Sequence, residues 1–242
     1  MVPSAKADSS HLSYTLPALT CRAFLYRRSA AVGGAVSQAN VAIDPHLGTM
    51  EAKPFAIPSS KLVMWLFIIS DAVTFGAILF AYGYIRNASP DWPTPFASSS
   101  LWNSLLMTFI LVSSSLTVLI ALKAAQDGNR ARAFRWVLTT AALGVLFTVL
   151  HLREWMDLIG KGVRTFQNPW GAPMFGATFF AITGLHMVHV AGGVVALIAT
   201  GLIYRAGRYS AKHIEILALY WHFVDLVWMF VVPLVYLMNM KR

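Results

Sequence analysis

Histidine and aspartate recur inside apolar stretches near the end of this chain, in Thr183-Gly184-Leu185-His186-Met187-Val188-His189 and in Tyr220-Trp221-His222-Phe223-Val224-Asp225-Leu226-Val227-Trp228. Imidazole and carboxylate ligate metals and haem, relay protons and pair as buried acid and base. At i, i+3 spacing, His186 and His189 share one helix face, as do His222 and Asp225. A carboxylate-bridged metal centre in a helix bundle needs Glu-x-x-His pairs repeated on two helices, and the chain carries no such repeat. A bis-histidine haem site needs facing helices with small residues, which Gly184, Gly192 and Gly193 make conceivable. The reading favoured by the spacing is plainer: His and Asp pair with each other, with a Trp N–H or with backbone carbonyls, and hold helices in register. Cys21 is the only cysteine, which excludes thiolate metal sites and an intrachain disulfide. There is no phosphate-binding glycine loop and no nucleophile elbow, and Ser113-Ser114-Ser115 reads as small-residue helix packing. These residues make no self-contained active site.

The elements that carry them are membrane spans. Charged residues make up 12% of the chain and apolar residues 57%, a balance far from that of a water-soluble domain. A hydrocarbon core of roughly 30 Å takes about 20 helical residues to cross. Five segments are long enough, at 61–85, 101–122, 134–159, 173–204 and 214–240. The expected fold is an all-α integral membrane bundle of five transmembrane helices. Its net charge of +9 reflects topology, because Lys and Arg gather in cytoplasmic loops, and nucleic acid is not an expected partner. Thirteen of the nineteen Lys and Arg fall in the N-terminal segment, in the connection after the second span and in the connection after the fourth. The expected topology therefore has the N-terminus inside and the C-terminus outside.

Two domains are expected. Residues 1–60, rich in Ser, Ala, Gly and Arg with little acid, read as an unstructured tail or a targeting peptide, with Met50 an alternative start. Residues 61–242 are the membrane domain.

Depth follows from a rise of about 1.5 Å per residue. Asp71 lies roughly 15 Å from the inner end of the first span, His222 and Asp225 roughly 12 and 16 Å from the inner end of the fifth, and His186 about 10 Å from the inner surface. These four are expected to form one layer and a buried polar network that fixes helix packing, with His189 and Glu154 at its edges.

Two motifs carry a family resemblance. Trp221-His222-Phe223-Val224-Asp225-Leu226-Val227-Trp228 is similar to the W-H-F-x-D-x-V-W signature in the last helix of subunit III of the haem-copper terminal oxidases. Phe179-Phe180-Ala181-Ile182-Thr183-Gly184-Leu185-His186-Met187-Val188-His189-Val190 resembles that family's F-F-x-x-T-G-x-H-x-x-H-V. Ser70-Asp71 stands where the family has an acidic residue, Ser114-Ser115-Leu116-Thr117 resembles a further pattern, and the segment from Leu143 to Trp155 ends as the family's does, in Glu and an aromatic. His151 departs from the glutamine of many members. The whole membrane domain resembles the five-helix bacterial form.

The resemblance implies a subunit of an enzyme complex that reduces dioxygen to water and moves protons outward, in a bacterial plasma (inner) membrane. It implies that haem and copper reside in partner subunits and none in this chain, that the chain packs against subunit I beside subunit II and a small subunit IV, and that phospholipid binds. Asp71 and Glu154 are the candidates for proton uptake or lipid contact, and Trp221 and Trp228 are the motif aromatics. A quinol oxidase or a nitric-oxide-reductase-associated homologue is the nearest alternative. A stand-alone haem-binding cytochrome or a small transporter is more remote, since no inverted repeat or broken helix marks a transport site.

Overall fold

A computed structural model describes residues 58–96, 98–167 and 169–239, the side chains of 98 and 99 excepted. The N-terminal tail up to residue 57, with Cys21 and Met50, lies outside the described residues, as do Met240, Lys241 and Arg242.

The described chain is helical, with five helices long and apolar enough to cross a membrane. They are α1 (Ser59–Ala88), α2 (Ser98–Gln126), α3 (Arg130–Gly160), α4 (Met174–Arg205) and α5 (Ala211–Val231). The last continues through a π-helical turn, Val232–Tyr236, and a short 3-10 turn, Leu237–Asn239. Each helix overruns at one or both ends the segment that hydropathy marks, because backbone hydrogen bonding continues past the apolar stretch into the polar interface. Pro233 supplies no N–H to the ladder, and the wider turn falls there.

Between α2 and α3 the chain reverses in three residues. Gly128 takes φ +75°, the left-handed conformation that a residue without Cβ adopts freely, and Asn129 caps α3 by accepting from the Arg132 N–H at 3.0 Å. At the other end of the bundle, the carbonyl of Arg164 lies so close to Gly176 that a Cβ there would sit 2.0 Å from it. Glycine in the first turn of α4 is what lets the α3–α4 connection fold back on the helix.

The helix α5 is the axis of the bundle: 56% of its most apolar window is buried, against 11% for α1. It packs against α1, α2 and α4, while α2 packs on α3 and α3 on α4. Lipid tails are as apolar as leucine, so small residues that let helices approach closely do much of the fastening. At Gly144 of α3 and Gly193 of α4, a Cβ would come within 2.7 and 2.9 Å of the Trp221 ring. Trp221 and Trp228 are fully buried, and each indole N–H is spent on α2: Trp221 donates to the Ser114 hydroxyl at 2.8 Å and Trp228 to Thr108 at 3.1 Å.

Candidate functional site

The ionisable residues expected to meet in one network meet instead in separate groups. Depth along the membrane normal brought Asp71, His186, His222 and Asp225 level, but their directions around the bundle differ.

The first group joins α1 to α4. Asp71 Oδ2 lies 3.2 Å from His189 Nε2, with the side chains 18% and 14% exposed. His189 Nδ1 lies 2.8 Å from the Leu185 carbonyl, which can only accept, so Nδ1 carries a proton. The contact between Nε2 and the carboxylate then needs one more proton between them. The pair is therefore neutral in sum, as imidazolium with carboxylate or as imidazole with carboxylic acid. The Phe75 ring stands edge-on to His189 at 5.2 Å, and Tyr220 of α5 donates to the His189 carbonyl at 2.9 Å.

The second group joins α2 to α5. The Ser115 hydroxyl donates to Asp225 Oδ2 and lies 2.9 Å from His222 Nδ1. With its one proton given to Asp225, Ser115 accepts from the Nδ1–H of His222. A nucleophilic serine needs the reverse polarity, its proton going to the imidazole. The arrangement clamps two helices and activates no nucleophile. Reading the serine run as packing alone missed this bond; Ser115 stands on the α2 face turned to the His222 and Asp225 face of α5.

The third group lies at the end of the bundle where α3 finishes. Glu154 is buried and its Oε2 accepts from the Tyr236 hydroxyl at 2.8 Å. His151 Nδ1 is 3.5 Å from the same oxygen, beyond good hydrogen-bonding range. Neither nitrogen of His151 or His186, nor Glu154 Oε1, has a hydrogen-bond partner among the described residues. The rings pack as aromatics: His186 stacks on Trp228 at 5.1 Å and His151 on Phe147 at 5.7 Å. Glu154 also lines a cavity of about 230 Å³ with Ser100, Asn103, Arg153, Asp157 and Lys161.

Asn239, at the end of α5, escaped the sequence reading altogether. Its Oδ1 accepts from Arg86 and from Trp92, each at 3.1 Å, while Nδ2 donates to the Tyr82 hydroxyl and to the Val235 carbonyl. One amide thus ties α1, the α1–α2 connection and the last turn together. At the other end of α1, Lys61 pairs with Glu215 of α5 at 2.5 Å. A polar residue at the end of a hydrophobic span looks like an interface residue, and nothing in its neighbours signals the knot.

Among the described residues, no three His, Cys, Asp or Glu side chains converge as a metal would require. The acids and imidazoles that do meet are spent on helix-to-helix bonds.

The family described as Cytochrome c oxidase subunit III matches residues 51–240, all five helices included. The chain belongs to that family. It is similar to cytochrome c oxidase subunit 3 of Alkalihalophilus pseudofirmus, 29% identical over 81% of this chain and 92% of the relative. It is 30% identical to cytochrome c oxidase subunit 3 of Thermostichus vulcanus, over 79% of this chain and 98% of the relative. The cytochrome bo(3) ubiquinol oxidase subunit 3 of Pseudomonas aeruginosa is 29% identical over 72% of this chain and 83% of its own length. The chain is thus subunit III of a haem-copper oxidase. The signature of its last helix supplies the buried Trp221 and Trp228, and His222 and Asp225, which Ser115 joins as acceptor from the first and donor to the second.

Proposed function

We propose that this chain is the non-redox companion of the catalytic subunits in a proton-translocating, oxygen-reducing oxidase of a bacterial plasma membrane, with cytochrome c as electron donor. It packs beside subunit I in a complex that also holds subunit II and a small subunit IV. The observation that carries this reading is how the polar groups are used: Asp71, His189, His222, Asp225 and Glu154 bond to groups on other elements or to serine and tyrosine hydroxyls, and among the described residues no three His, Cys, Asp or Glu converge. Haem and copper belong to the partners. In this reading the α2–α3 and α4–α5 connections lie inside, as their excess of Lys and Arg supports, and near them Arg130 lies over the Tyr204 ring at 5.3 Å and Arg205 over Phe134 at 4.9 Å.

Within this reading the neutral Asp71 and His189 pair is a proton-holding contact close to the bundle surface, positioned for proton uptake or lipid contact. Glu154 plays the corresponding part at the end of the bundle where α3 finishes, where Arg153 and Lys161 beside Glu154 and Asp157 make a cavity able to receive a phospholipid headgroup.

The likeness to a ubiquinol oxidase subunit supports a second reading, in which the donor is a quinol. Oxygen consumption by the complex purified through a tag on this chain decides it. Turnover with reduced cytochrome c and none with quinol supports the first reading, and the converse supports the second. A complex that consumes oxygen with neither donor contradicts both.

A further inference from the structure

His222 has one ring nitrogen left over. Nδ1–H is committed to Ser115, whose own proton goes to Asp225, so Nε2 of the neutral ring is a lone-pair acceptor. Nε2 has no partner within the described chain, and the residue is only half-buried, so this nitrogen opens onto the outside of the bundle. His222 lies eleven residues into α5, roughly 16 Å from its start and near the middle of a span. Acyl chains offer nothing to an acceptor at that depth.

The surroundings form a surface. Helical geometry puts Glu215, Leu219, His222, Leu226 and Met229 on one strip of α5, at i, i+4, i+7, i+11 and i+14. Residues to one side of the strip, Trp221, Asp225 and Trp228, bond to α2; those to the other, Tyr220 and Phe223, meet Phe67 and Phe75 of α1. The strip is the floor of a groove walled by α1 and α2. Leu226 and Met229 are 54% and 49% exposed within it. The outer faces of α3 and α4, by contrast, expose Val149 and Val195, and the unpartnered ring nitrogens nearest them, those of His151, are buried against Phe147, Trp155 and Trp228, which leaves an apolar surface of the kind that faces lipid.

We propose that this groove over α5 is the face on which a transmembrane helix of the catalytic partner packs, and that the partner supplies a hydrogen-bond donor, a hydroxyl or an indole or amide N–H, to His222 Nε2. The inference rests on the reading of this chain as one subunit of a membrane complex and adds which face it uses and what chemistry meets it. An apolar helix with one donor at the level of His222 satisfies both the exposed leucine and methionine strip and the ring nitrogen. A lipid tail satisfies only the first.

The test is photo-crosslinking in membranes that hold the whole complex, with p-benzoylphenylalanine introduced singly at Leu226, Met229, Val149 and Val195. The expected result is an adduct with the haem-bearing partner from Leu226 and Met229 and none from Val149 or Val195. Partner adducts from Val149 or Val195 alone, or lipid adducts alone from Leu226 and Met229, overturn the assignment. A tagged chain that recovers no haem protein at all defeats the underlying reading, and that result is visible before irradiation. As a second variant, His222→Phe should reduce recovery of the partner several-fold after detergent extraction, while His222→Gln, whose amide oxygen is an acceptor, restores it. Equal recovery from both variants removes the proposed hydrogen bond.

Discussion

His189 Nε2 on α4 and Asp71 Oδ2 on α1 lie 3.2 Å apart, while the other ring nitrogen of His189 is committed to the Leu185 carbonyl. The helix α1 buries little of itself against the bundle, so this contact, the Lys61 pair and the Asn239 knot are its principal polar attachments. The same two atoms serve packing and could hold an exchangeable proton, and substitution separates those roles.

Asp71→Asn replaces a carboxyl with an amide of nearly the same shape, whose N–H donates to the bare Nε2 of neutral His189. The packing bond survives and the shared proton does not. Thermal stability of the complex should stay within about 1 kcal/mol of the parent, whereas Asp71→Leu, which leaves Nε2 unpaired, should cost about 1–3 kcal/mol. A loss of proton uptake in Asp71→Asn without loss of assembly marks the proton as functional. Loss of assembly in both variants marks the residue as structural.

His186 is fully buried with neither ring nitrogen partnered among the described residues, and it stacks on Trp228 as a plain aromatic. Replacing an unpaired buried polar ring with an apolar one of similar shape removes a desolvation cost. His186→Phe should therefore be neutral or stabilising in thermal unfolding of the purified complex. A loss above about 2 kcal/mol would show that His186 meets a polar group after all.

Adjacent glycines of α4 should behave in opposite ways. A Cβ on Gly193 would meet the Trp221 ring at 2.9 Å, and Trp221 is pinned by its bond to Ser114. Gly193→Ala should destabilise by about 1–3 kcal/mol through overpacking. A Cβ on Gly192 meets nothing within 4 Å, and Gly192→Ala should gain up to about 1 kcal/mol from helix propensity. Parallel melting curves of the two variants check the contrast.

Asn239→Ala removes the common partner of Arg86, Trp92 and Tyr82 at the end of the bundle. The cost should reach at least about 2 kcal/mol, since several buried groups lose their bonds together. Hydrogen exchange should rise between Tyr82 and Phe96 and stay unchanged around Trp221.

The five spans were legible because apolar length is a one-dimensional property, read directly along the chain. Contacts between spans depend also on the angle around each helix, which depth arithmetic does not carry. Spacing correctly placed His222 and Asp225 on one face, yet the partner they share, Ser115, sat in a serine run that looked like packing. Asp71 was level with His186 but meets His189, one turn away on α4. Tyr236 reaches Glu154 from a π-helical turn after Pro233, where regular helical spacing no longer predicts direction. The motif aromatics were the easiest to recognise, since an indole buried at membrane depth must find an acceptor, and Trp221 and Trp228 both find one on α2.

The central claim is that this chain accompanies redox chemistry without holding a redox centre. The direct measurement is the absorption spectrum of the complex purified through a tag on this chain, before and after the subunits are separated in mild detergent. The account predicts haem bands in the intact complex that leave entirely with the partner polypeptides. Haem retained by the separated chain, or a tagged complex with no haem at all, would contradict it.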